Sequence, residues 1–203
     1  SLFTPSFGYR FAHMALASFL TASLVVAGVS AWFILQKREL EANKKALSIA
    51  LWFLLVLAPL QAVVGDFHGL NTLKHQPMKV AAMEGNWETS SQVPLLLFAI
   101  PDKESQKNHF EVAIPGLASY VLTHDWDGVV PGLNEVPIEE QPPVFIVFWS
   151  FRIMVGLGLL MIAFGVWGLV LRRKGRIYHN NIFLNGLRFM SLSPFIAVLA
   201  GWV

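Results

Sequence analysis

Apolar residues run almost unbroken through four stretches of the chain, and polar residues gather between them. Phe11–Leu35 is 25 residues without a charged side chain. At about 1.5 Å per residue that is enough helix to cross a hydrocarbon core of roughly 30 Å. Ala46–Val64 is a second such stretch, with Pro59 as a tolerated kink near its far end; Val144–Leu171 is a third, and Ile182–Val203 a fourth. A short charged turn, Lys37–Lys45, joins the first two, and Arg172–Arg176 joins the last two. Between the pairs lies a long polar excursion, Asp66–Pro143. The pattern predicts an all-α membrane protein of four transmembrane helices in two hairpins, with a long loop carrying short helices. Three segments follow: residues 1–64, 65–143 and 144–203.

Composition supports a bilayer. Hydrophobic residues make up 55% and charged residues 14%, too apolar a balance for a soluble domain of this length. The formal net charge of +2 is spread beside the apolar spans, with no basic patch interleaved with aromatics, so nucleic acid is set aside. Without cysteine there is no disulfide, thiolate cluster or covalent haem attachment, and a metal centre would have to use His, Met or carboxylate. The start at Ser1 and the end inside the apolar run Gly201-Trp202-Val203 predict a piece of a longer protein. The two short turns hold eight basic residues against Glu39 and Glu41, whereas the long loop holds four lysines against eleven acidic residues. By the positive-inside rule the turns are cytoplasmic and the loop lies on the outer, periplasmic side.

Chemistry concentrates in Gly65–Trp87, where the chain leaves a hydrophobic helix. Pro77 can open a helix through Met78–Glu84, and Gly85 stops it. Lys79 and Glu84 are then about 140° apart around the axis, too far for an i,i+4 pair. Each is free to bind something else, or the two are solvated surface charges. Pro115–Leu122 predicts a further short helix without chemistry. His68, His75, His109, His124 and His179 have no metal-ligand spacing and read as solvated; Asp66 reads as a helix-end cap or loop anchor.

Three residues stand out within the spans. His13 is an ionisable group in a membrane helix and a candidate haem ligand, with an interhelical hydrogen bond as the plainer role. Met154 alone would be packing. Arg152, two residues before it, needs an anionic partner; the spans contain no carboxylate, and haem propionates would suit. Small residues such as Gly28, Gly156, Gly158 and Gly165 allow close helix approach or leave room for a macrocycle. In the fourth span, Asn185 and Arg188 share a face near the cytoplasmic end.

These motifs, in order, carry a resemblance. Phe11-Ala12-His13, Gly28-Val29-Ser30-Ala31-Trp32, Gly65-Asp66, Lys79-x-Ala81-Ala82-x-Glu84-x-x-Trp87-Glu88-Thr89, Ile100-Pro101-Asp102 and Phe151-Arg152-Ile153-Met154-Val155 resemble subunit I of the cytochrome bd-type quinol oxidases. The match covers essentially the whole chain and corresponds to the middle of that subunit. The short stretch between Glu135 and Val144 resembles the short-loop branch, and His68–Leu73 with His75-Gln76-Pro77 its cyanide-insensitive members.

The resemblance implies an enzyme, a quinol:oxygen oxidoreductase of the bacterial cytoplasmic membrane. It implies His13 and Met154 as axial ligands of a low-spin haem b iron, Arg152 as the residue stabilising that haem, and Lys79 and Glu84 in the quinol site. Ubiquinol or menaquinol would be the donor. Oxidase subunit II and small accessory subunits would be partners, with the high-spin haem b and a haem d, or a further haem b in its place, bound by parts of the subunit outside this chain. Glu84 would relay a hydroxyl proton while Lys79 stabilises a developing quinolate, with Trp87 and Phe67 near the ring. The rival reading is a transporter or channel fragment with His13 and Arg152 along a polar pathway.

Overall fold

A computed structural model describes residues 5–203; the first four positions of the segment 1–64 lie outside the described residues. Among the described residues there are seven α-helices and one two-stranded antiparallel sheet. The helices are α1 (Phe7–Leu35), α2 (Leu40–His75), α3 (Pro77–Glu84), α4 (Leu117–Thr123), α5 (Val144–Arg173), α6 (Asn181–Met190) and α7 (Ser193–Gly201), with strands β1 (Leu95–Asp102) and β2 (Lys107–Ile114) between α3 and α4. Four helical stretches are long and apolar enough to cross a membrane. The chain divides into two compact units.

One unit comprises residues 7–65 and 154–202. Its core is mostly aliphatic around one phenylalanine: Leu20, Leu24 and Ala27 of α1, Leu47, Leu51 and Leu54 of α2, and Phe183, Leu184 and Leu187 of α6 are fully or almost fully buried. Gly28 lets α1 touch α6 and the turn after it, since a Cβ there would sit 2.6 Å from Ser191 Cβ. Gly165 does the same for α5 and α2, where a Cβ would stand 3.2 Å from Leu55 Cα. Gly156 and Gly158, expected to serve the same way, meet no atom within 4 Å. Thr21 and Ser23 donate to carbonyls one turn back, so α1 carries these hydroxyls with their donors satisfied. At the other end Arg172 donates to Ser48 Oγ at 2.8 Å and covers the Trp52 ring.

The fourth predicted span is not one helix. It breaks at Ser191-Leu192 into α6 and α7, because Pro194 has no N–H to give Met190 O and its ring crowds that carbonyl. Ser193 Oγ takes over the acceptor at 2.7 Å.

The second helix is longer than predicted. It continues through Gly65 and Asp66 to His75, 36 residues or about 54 Å, well beyond a hydrocarbon core. A single glycine costs a helix only about 1 kcal/mol, whereas Pro77 forces the residue before it out of the helical region. Gln76 accordingly has φ −141°.

The other unit comprises residues 66–153 with both chain ends of the described structure, residues 5–6 and 203. It contains a hairpin that the apolar pattern did not announce. β1 pairs with β2 in a register that sets Leu95 opposite Ile114 and Asp102 opposite Lys107, with irregularities around Phe98. Asp102 closes the turn, accepting from Glu104 N at 3.0 Å and Ser105 Oγ at 2.7 Å. Leu96 and Ala99 of β1 pack on Phe148 of α5. Val80 of α3 joins Val93, Ala118, Leu122 and Val130 in a second small core, which holds α4, the short helix expected near Pro115–Leu122.

Candidate functional site

Helix α3 is two turns long, too short to hold itself, and both its ends are fixed by local chemistry. Pro77 begins it where a missing N–H costs nothing. Gly85 ends it at φ +67°, a left-handed conformation that puts Gly85 N–H on Ala82 O and Asn86 N–H on Ala81 O. Val80, Ala81 and Ala82 face inward, so the helix is anchored by its apolar side.

Glu84, the last residue of α3, is only 4% exposed. Its Oε2 accepts from Arg152 Nη2 at 2.8 Å. Arg152 spends two further donors nearby, Nε on Leu96 O of β1 at 3.0 Å and Nη1 on Met83 O of α3. The guanidinium lies 4.1 Å from the centre of the Phe148 ring. Five N–H groups are available to an arginine, so two remain, one on each terminal nitrogen.

This corrects two expectations. Arg152 has a carboxylate partner within the chain, and Glu84 is not free. The apolar spans hold no carboxylate; the counter-ion comes from the polar excursion, 68 positions away in the chain. Burying a charge in this way is tolerable only as a paired, hydrogen-bonded group, which both partners are.

Lys79 sits on another side of α3, as its five-residue offset from Glu84 required. Its Nζ donates to Val203 O at 3.1 Å, and no hydrogen bond or ion pair among the described residues joins it to Glu84. Trp87 is a core residue, 8% exposed against Ala81, Ala82, Leu133 and Val147, with Nε1 donating to Asn108 Oδ1 at 2.9 Å. Phe67, the other ring expected near a ligand, is exposed on α2. Asp66 lies inside α2 and caps nothing; its Oδ2 is 3.5 Å from His124 Nε2. His109 likewise faces Asp102 at 3.7 Å, so these two histidines are exposed yet not simply solvated.

His13 and Met154 belong to the other unit. His13 is half-buried on α1, its carbonyl accepting from Gln61 Nε2 of α2 at 3.1 Å. Its ring occupies space left by Gly65, where a Cβ would stand 3.2 Å from Cε1. Met154, half-buried on α5, has the same relation to α7, with its sulfur 3.0 Å from where a Gly201 Cβ would be.

Comparison with known proteins shows the family. The family model for cytochrome bd terminal oxidase subunit I matches residues 1–203. The chain belongs to that family. Two relatives from Bacillus subtilis are similar over nearly its whole length: a cytochrome bd ubiquinol oxidase subunit 1, 31% identical over 98% of this chain and 45% of the relative, and a putative cytochrome bd menaquinol oxidase subunit I, 33% identical over 100% and 47%. A bd oxidase structure from Geobacillus thermodenitrificans superposes with a TM-score of 0.88 at 29% identity, covering 99% of this chain and 46% of that one. The chain spans about half the length of the relatives it matches. Membership bears out the resemblance read from the ordered motifs.

Family membership implies haem. The residues present fit it in donor chemistry, since imidazole and thioether are both haem ligands, and each occupies a slot cleared by a glycine. Gly158, one turn beyond Met154 on the same helix face, leaves open space where a side chain would stand. What spacing could not reveal was the support around Glu84: Leu96 O, Phe148 and Asn108, all brought in by the hairpin and the start of α5.

Proposed function

We propose that this chain is the quinol-oxidising part of a cytochrome bd-type terminal oxidase in a bacterial inner membrane, with α3 and the hairpin on the periplasmic side. The observation that carries the reading is the buried Glu84–Arg152 pair, because it ties the candidate proton acceptor to the helix whose Met154 follows Arg152 by two residues. Ubiquinol or menaquinol would donate, and subunit II and further small subunits would complete the complex.

His13 and Met154 would hold a low-spin haem b, which when bound would supply a one-electron acceptor for quinol, and a methionine ligand would raise its potential. Arg152, the residue the family resemblance assigns to stabilising that haem, keeps two N–H groups with which it would bind an anionic group of the cofactor. Each quinol gives up two electrons and two protons. Glu84 Oε2 is held by Arg152, so Oε1 is the atom that accepts a hydroxyl proton, and the guanidinium holds the carboxyl in place while the proton arrives and leaves. Lys79 has two N–H groups beyond the one given to Val203 O, and with them it would steady the developing quinolate oxygen. Release of protons outward, with electrons passing on toward oxygen, would conserve energy across the membrane. The high-spin haem b and haem d would sit in the remainder of the subunit.

The test uses the intact oxidase. Lys79→Ala and Glu84→Ala each slow quinol-driven oxygen uptake while the reduced-minus-oxidised haem spectrum stays intact. Full turnover in both variants would overturn the assignment.

A further inference from the structure

We propose that Asn108 is a positioning residue for Glu84, a role that rests on the quinol-site reading above. Asn108 lies on β2 opposite Pro101, and its side chain reaches back to the end of α3. Nδ2 donates to Gly85 O at 2.9 Å, and Oδ1 accepts from Trp87 Nε1 at 2.9 Å. The two bonds use opposite ends of the amide, so they fix its orientation. They grip the residue after Glu84 and the third residue after it.

The grip matters because it acts on the peptide that directly follows Glu84, whereas the bonds of Asn86 and Trp87 to the 130–134 stretch hold the chain further on. Its backbone is the last turn of an eight-residue helix, followed by a glycine in a left-handed conformation. Arg152 holds the side from which the carboxylate is bound, through Glu84 Oε2 and Met83 O. Asn108 holds the other, through Gly85 O. Both clamps lead to one object: Arg152 Nε is bonded to Leu96 O of β1, and Asn108 stands on β2. Phe148 fills the space between, 3.1 Å from where a Gly85 Cβ would lie and under the guanidinium. The hairpin is thus the frame that sets Glu84 against Arg152, and Asn108 is its contact with the backbone that carries the carboxylate. The residue touches no reacting atom in this scheme. It acts through Gly85 and Trp87.

The experiment compares Asn108→Ala, Glu84→Gln and the double variant in the intact oxidase, with turnover measured on quinol and on an artificial one-electron donor that bypasses the quinol site. Asn108→Ala is expected to lower quinol kcat by about ten-fold or more, as a misplaced catalytic group does, while haem content and turnover on the bypass donor stay normal. The double variant is expected to be no slower than Glu84→Gln, because a residue that only positions Glu84 has nothing left to position. A merely structural asparagine would lower haem content or add its loss to that of Glu84→Gln, and either result overturns the proposal. If Asn108→Ala does not assemble, Trp87→Phe removes one of the two bonds while keeping an aromatic ring in the core, and normal quinol kinetics in it would also count against the role. Full quinol turnover in Glu84→Gln would instead overturn the underlying quinol-site reading, whereas slow Glu84→Gln with normal Asn108→Ala would overturn this inference alone.

Discussion

Arg152 and Glu84 form a salt bridge at 2.8 Å although 68 residues separate them, and neither side chain is more than 11% exposed. In a low-dielectric setting the pair is less a source of stability than a constraint. Its two charges were removed from water together, and each is tolerated only while the other is present.

Breaking the pair from one side should therefore cost more than removing it whole. Arg152→Met leaves the Glu84 carboxylate buried and uncompensated, which is expected to destabilise the unit by about 3–5 kcal/mol. Adding Glu84→Gln should recover a large part of that loss. The measurement is chemical unfolding in detergent, together with limited proteolysis between residues 77 and 143. Equal stability of the single and double variants would show that the pair is not buried as described.

Gly85→Ala tests the helix end. The substitution puts a Cβ at φ +67° and within 3.1 Å of Phe148, an expected cost of about 1–2 kcal/mol from backbone conformation alone. Because Glu84 immediately precedes it, quinol-driven turnover should fall as well, with the haem spectrum unchanged. Wild-type stability and turnover in this variant would mean that α3 does not end in the left-handed conformation.

The turn of the hairpin has a pH signature. The Ser105 hydroxyl and then the Glu104 N–H bond the Asp102 carboxylate and hold its pKa below the usual aspartate value. A depressed folded value means that the carboxylate's contribution is fully present above the unfolded pKa and is lost as pH falls through the folded one. The turn should thus be at full strength at neutral pH and loosen only in acid. Carbon-13 NMR of labelled aspartate reads this directly, as an Asp102 midpoint below that of an unstructured peptide, moving up in Ser105→Ala. An Asp102 midpoint at the peptide value would contradict the turn geometry.

The spans were legible because one signal dominates them: long apolar runs have no alternative in water, and the residues that start or stop a helix are local. Pro77 and Gly85 bound α3 where the sequence reading put them. The same locality explains the errors. Gly65 looked like an end to the second span but is only a weak breaker, and Pro194 was passed over because the residues around it are as apolar as the rest of the run. The hairpin escaped notice because β2 is almost wholly exposed, so no buried face marks it in the apolar pattern. For the site, the spacing of Lys79 and Glu84 correctly excluded a pair between them. The true partner of Glu84 depended on chain folding that spacing does not encode.

His13 and Met154 are proposed to hold a low-spin haem b that receives electrons from quinol. The most direct measurement is the reduced-minus-oxidised visible spectrum of the intact oxidase carrying His13→Ala or Met154→Leu. Each variant should lose the low-spin haem b band while the spectrum of the other haems persists. An undiminished band in both would contradict the account.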